Sequence, residues 1–154
     1  MRSYEGVLKG DRLRFGVVVG KFNGEVTERL LEGAVAALLK HGVQEKDVEI
    51  VKVPGAFEIP LTAKRMAQSG AYHGLICLGA VIRGETPHFE YISRAVSRGI
   101  AEVMLETGIP IGFGVLTTDT VRQAVDRADP EQFDRGGAAA ETAIEMVNLL
   151  KDLK

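Results

Sequence analysis

The sequence predicts an α/β fold, a three-layer sandwich with helices on both sides of a central four-stranded parallel sheet. Three observations predict it. The chain has 154 residues, about the length of one domain. Four apolar runs rich in β-branched residues recur along it, mostly continuous rather than alternating, as expected of parallel strands covered on both faces. Segments with helical periodicity separate these runs, giving the order β-α-β-α-β-α-β-α-α, whose crossovers are expected to be right-handed.

Each element has its own local signal. The first strand is "RFGVVVG" (14–20), followed by a helix over 24–41 with Leu31, Val35, Leu38 and Leu39 on one face. Gly42 then stands where a C′ glycine belongs. "DVEIVKV" (47–53) is the second strand and 57–69 the next helix. "HGLICLGAVI" (73–82) is the third strand, and 87–107 a long helix with a stripe of Ile92, Val96, Gly99, Ile100 and Val103. Gly108 and Pro110 stop it. "IPIGFGVLTT" (109–118) is the fourth strand, 120–128 a short helix, and 138–153 a final one with Ala143, Ile144, Val147 and Leu150 inward. Residues 1–154 thus form a single domain, with 1–13 as an N-terminal arm. Its "YEGVL" stretch could pair as an edge strand, in this chain or on a neighbouring subunit.

Composition excludes several function classes. A formal charge of -2 without a basic run gives no footprint for nucleic acid. One cysteine rules out an internal disulfide or a cysteine-cluster metal site, and Cys77 lies in an apolar run as a structural thiol would. No segment approaches the ~20 apolar residues of a membrane span. "MRSYEGVLKGDRLRF" has no apolar signal core, so a cytoplasmic location is expected.

Ligands of open parallel sheets bind outside the carboxyl ends of the strands. Here those ends read "GKFNGE" (20–25), "PGAFEIP" (54–60), "AVIRGETPH" (80–88) and "TTDT" (117–120). "GVVVGKF" fails as a phosphate loop, because only three residues separate its glycines and Phe22 stands where Ser or Thr is required. No G-x-G-x-x-G follows the first strand, His41, His73 and His88 lack zinc spacing, and there is no G-x-S-x-G elbow.

His88 is the best candidate for moving protons. Thr86 can cap the long helix and Pro87 suits its first position, which puts His88 in the first turn. A helix N-terminus disfavours the imidazolium and attracts phosphate. The plainer reading is an exposed histidine at a helix start. Phe22 and Phe57 are either stacking faces for a planar ring or packing residues. Glu58 either meets a polar ring edge or belongs to a helix start. Arg127 and Arg135 are phosphate-binding candidates or surface cations. His41 reads as a helix C-terminal residue and His73 as a strand-start residue.

Together, "GVVVGKFN", "VPGAFEIP", "GAVIRGETPHFEYI", "PIGFGVLTTDT" and "AIEMVNL" resemble the 6,7-dimethyl-8-ribityllumazine synthase family, over nearly the whole chain. The resemblance implies a flavodoxin-like sandwich. It also implies condensation of 5-amino-6-(D-ribitylamino)uracil with 3,4-dihydroxy-2-butanone 4-phosphate, without metal or redox cofactor. Carried over, Phe22 stacks on the pyrimidinedione, and Ala56, Phe57 and Glu58 contact the ring and ribityl chain, with Asn23 nearby. Ala80, Val81, Ile82 and Phe113 add uracil contacts. Glu85, Thr86 and Arg127 hold the butanone phosphate, and His88 transfers protons. The family commonly carries Asn-Lys-Gly where this chain has "DRG" (134–136), so Arg135 keeps a positive charge without the geometry of lysine. Pentamers, shells of twelve pentamers and a riboflavin synthase partner are further implications. A riboflavin synthase of the same architecture and a non-catalytic flavin-binding module are the alternatives.

Overall fold

All four apolar runs become strands of one parallel sheet in the computed structural model, which describes residues 1–153. The order along the chain is β1 (Phe15–Gly20), α1 (Gly24–Lys40), β2 (Val48–Val53), α2 (Ile59–Gln68), β3 (Gly74–Ile82), α3 (His88–Thr107), β4 (Ile111–Thr118), α4 (Val121–Ala128) and α5 (Arg135–Asp152). Single turns of 3-10 helix, Glu45–Asp47 and Ala56–Glu58, precede β2 and α2.

The spatial order is β2-β1-β3-β4. From β1 the chain crosses outward to β2, then returns past β1 to β3, so the winding reverses between the two central strands. That reversal leaves a crevice at their carboxyl ends. β1 pairs Gly20 with Val53 on one side and Val19 with Leu78 on the other, which brings the three strand ends to one rim.

Because side chains alternate along a strand, each face of the sheet has its own core. Phe15, Val17, Ile76 and Leu78 pack with Leu30 and Leu38 of α1, Ala124 of α4 and Ile144 of α5. Val18, Leu75 and Cys77 pack with Ile59 and Met66 of α2 and Val96 and Ile100 of α3. Burial of the Cys77 thiol pushes its pKa up to about 12.

The central strands are covered on both faces as expected, but the outer two are not. In β2 only Val53 is buried and Ile50 is 46% exposed, while Phe113 and Thr117 of β4 face solvent. An apolar run records β-propensity as well as burial, and at a sheet border the helices cover only part of the strand. Two residues expected inside, Leu39 and Leu150, are exposed. The buried face of α1 runs through Leu30, Ala34 and Leu38, one helical step away from Leu39, and the last buried residue of α5 is Val147.

Two helix ends show how local chemistry sets the boundaries. At the end of α1, Gly42 takes φ 99°, its N–H donating to Leu39 O and that of Val43 to Leu38 O, a paired closure with glycine at C′. α5 begins at Arg135 rather than 138, because Asp134 caps it by accepting the Gly137 N–H at 3.1 Å. Its early glycines are packing residues. A Cβ on Gly136 would run into the Leu30 carbonyl oxygen of α1, so α5 can approach only without a side chain there.

The arm does not join the sheet of its own chain. It runs along α5, with Asn148 Nδ2 donating to Val7 O at 2.7 Å and to Lys9 O at 2.9 Å. His41 sits at the end of α1 with Nε2 2.7 Å from Glu141 Oε2. Ahead of β3, His73 Nδ1 accepts the Arg14 backbone N–H at 2.9 Å. Burial, then the Arg14 and Lys151 charges, lower the His73 pKa, with Asp47 opposing. Among the described residues no helix is long and apolar enough to cross a membrane.

Candidate active site

The chain leaves β1 under tight backbone control. Lys21 N–H donates to Val53 O at 2.8 Å and Phe22 N–H to Pro54 O at 3.0 Å, continuing the β1–β2 pairing past the ends of both strands. Gly20 allows this, since a Cβ there would lie 3.2 Å from the Gly55 backbone carbon. Phe22 is thereby held at the rim with 72% of its surface exposed. Asn23 follows in the left-handed region at φ 62°, a conformation asparagine tolerates. Its Nδ2 donates to Ala80 O at 3.0 Å, tying this loop to the end of β3.

The other walls come from the turn at Ala56–Glu58, the end of β3 and the start of α3. Together they enclose an open cavity of about 600 Å³. Phe22, Asn23, Ala56, Phe57, Glu58, Ala80, Val81, Ile82, Thr86 and His88 all line it, so most of the residues singled out by sequence share one crevice. Four do not. Phe113 is 47% exposed on the outer strand β4, paired in register with Cys77. Glu85 is exposed in the loop before α3, and Arg135 is exposed at the start of α5. Arg127 lies on α4, with Nη1 donating to Gln123 O at 3.2 Å and its guanidinium 5.7 Å from the Phe133 ring centre.

The start of α3 differs from expectation in one detail. The helix begins at His88, Pro87 occupies the residue before it, and no side chain caps it. Thr86 therefore keeps its hydroxyl for other use, at the cavity wall. His88 is the first residue of the helix, where the aligned peptide dipoles give a partial positive charge.

Phe89 and Ile92 belong to the same wall but were not among the candidates. Ile92 had been assigned only to the core stripe of α3. A signal existed, because Ile92 is four residues after His88 and shares its face. Pro54, Gly55 and Gly84 complete the lining.

This cavity is largely apolar, with exposed aromatic rings of Phe22 and Phe57 at the rim and a few polar groups, Asn23, Glu58, Thr86 and His88. Such a surface suits a planar heterocycle with polar edges, and His88 brings an imidazole to the same wall. Among the described residues no three His, Cys, Asp or Glu side chains gather as a metal-ligand set. A family model described as 6,7-dimethyl-8-ribityllumazine synthase matches residues 12–151, a span that contains all four strands and every residue of the cavity.

Proposed function

From the premise that the chain belongs to the 6,7-dimethyl-8-ribityllumazine synthase family, and so is a transferase of riboflavin biosynthesis, we propose the specific reaction and the roles of its residues. The protein condenses 5-amino-6-(D-ribitylamino)uracil with 3,4-dihydroxy-2-butanone 4-phosphate. The aromatic amine adds to the ketone and loses water to form an imine. Phosphate leaves by elimination, and the second nitrogen closes the ring with loss of another water, giving 6,7-dimethyl-8-ribityllumazine.

One observation supports this reading above the rest: the Phe22 ring and the His88 imidazole border the same cavity. In the proposed complex Phe22 stacks on the pyrimidinedione. Ala56, Phe57, Glu58, Asn23 and the Ala80, Val81 and Ile82 strand end meet its edges and ribityl chain. Thr86 receives the phosphorylated ketone beside the start of α3, with Glu85 next to it in the loop outside the cavity lining, and His88 relays protons between stages. Much of the acceleration comes from holding two reactants together. Phe113 and Arg127 lie outside this chain's cavity, and we assign them to the cavity of an adjacent copy in a pentamer. Arg135, the first residue of α5, is the second cation of that phosphate site. Larger shells, a riboflavin synthase partner and a cytoplasmic setting belong to the same reading.

Incubating the purified protein with both substrates tests it. Lumazine formed with equimolar phosphate is the expected result. Riboflavin formed from lumazine alone, or flavin retained without turnover, would overturn it in favour of a riboflavin synthase or a flavin-binding module.

A further inference from the structure

We propose that Arg83 is a positioning residue, whose guanidinium braces the first turn of α3 so that His88 is held at the cavity wall. The inference rests on the reaction proposed above, in which His88 moves protons. Arg83 follows β3 directly, and its backbone N–H donates to Thr118 O at 2.9 Å, which locks the end of β3 to the end of β4. From that fixed base the side chain reaches three groups. Its Nε is 2.8 Å from Asp119 Oδ1, just past β4. Nη1 is 3.7 Å from Glu90 Oε1. The guanidinium carbon is 4.6 Å from the centre of the Phe89 ring.

Phe89 and Glu90 are the two residues after His88, so two of the three contacts fall on the turn that carries the imidazole. Phe89 itself lines the cavity. No side chain caps this helix, and four residues separate it from Arg83, so the loop alone fixes its start weakly. The brace supplies that definition. The Arg83 side chain is 47% exposed, with Glu90 at 56% and Asp119 at 65%, so each ion pair adds little stability. Three partners on two segments, Phe89 and Glu90 on α3 and Asp119 past β4, instead give direction, which the planar fork and stacking face of arginine hold and a lysine cannot.

The anchor also extends toward the fourth strand end. The backbone N–H groups of Asp119 and Thr120 both donate to Gln123 Oε1, and Thr120 Oγ1 accepts the Gln123 N–H, which caps α4. Asp119 is therefore a rigid abutment for the guanidinium.

Steady-state kinetics of the full-length Arg83→Ala and Arg83→Lys proteins test the inference. Misplacing a proton-transfer group costs rate more than binding, so kcat falls about 10- to 100-fold while KM for both substrates changes less than about threefold. Arg83→Lys recovers only a small part. In a His88→Ala background, Arg83→Ala has less than about a twofold further effect, because its action passes through the missing imidazole. A kcat for Arg83→Ala within about twofold of the parent, full recovery by lysine, or equal losses with and without His88 would overturn the proposal; if Arg83→Ala does not fold, Arg83→Lys carries the comparison. A parent protein that makes no lumazine overturns the reaction instead. In that event histidine NMR decides the brace alone. The His88 ring signals move in Arg83→Lys while those of His41 and His73, the other two histidines, stay in place; unmoved His88 signals would count against the brace.

Discussion

Asn23 Nδ2 donates to Ala80 O at 3.0 Å, joining the loop after β1 to the end of β3 across the point where the winding reverses. This bond sets the distance between the wall that carries Phe22 and the wall formed by Ala80, Val81 and Ile82. Asn23 also holds φ 62°, so backbone and side chain serve one purpose.

Substitutions at Asn23 separate these two contributions. Asn23→Gly keeps the left-handed backbone and removes the bond, worth about 1 kcal/mol. It should weaken aminouracil binding about fivefold and lower the melting temperature by only about 2–4 °C. Asn23→Asp places a carboxylate against the Ala80 carbonyl and should weaken binding further. Isothermal titration with the aminouracil measures both; affinity unchanged in Asn23→Asp would remove Asn23 from the site.

His88→Ala is expected to lower kcat about 100-fold without abolishing turnover, because substrate positioning survives. Arg127→Ala should instead raise KM for the ketone phosphate selectively. If Arg127 serves an adjacent copy, subunits carrying the two lesions complement each other. Co-refolded in equal amounts, they assemble roughly a quarter of their junctions with both groups intact. At ketone phosphate well below the KM of Arg127→Ala, recovery toward that fraction checks the shared site, and a mixture no more active than the mean of its two parents would refute it.

Cys77 lies fully buried between β1 and β4 with its thiol pKa at about 12. It should resist alkylation by iodoacetamide at pH 8 for as long as the protein stays folded, and react at once in denaturant. Mass spectrometry of quenched samples gives the result directly.

His73 predicts a pH dependence of stability away from the site. Its Nδ1 accepts a backbone N–H, and burial lowers its pKa below the ordinary 6.5. The unfolded chain therefore binds the proton more readily than the folded one. Stability is retained above pH 6.5 and falls as pH drops below it, through the lowered folded value. Denaturant melts of His73→Asn between about pH 7 and 5 should show a shallower decline than the parent.

How much of this was legible in the sequence depended on whether a signal was local. β1 and β3 were plain, because strands covered on both faces must be apolar throughout. β2 and β4 were equally plain as strands but misleading about cover, since Ile50 and Phe113 carry β-propensity without burial. Gly136 hid the start of α5, because its need for a bare Cα comes from the Leu30 carbonyl of another helix. His88, Phe22 and Glu58 could be placed at one rim from strand ends alone, and they line one cavity. The brace of Arg83 could not, because its Asp119 abutment lies 36 residues further along the chain.

The sheet also acts as a partition. With Leu30 and Ile144 on one side and Val96 and Ile100 on the other, a void opened in one compartment has no path for repacking into the second. Leu30→Ala and Ile100→Val should therefore lose stability as independent sums, whereas paired truncations within one compartment should not. The crevice is mounted on the dividing wall itself, so loosening either compartment should reach its chemistry only through strand ends that the other continues to hold.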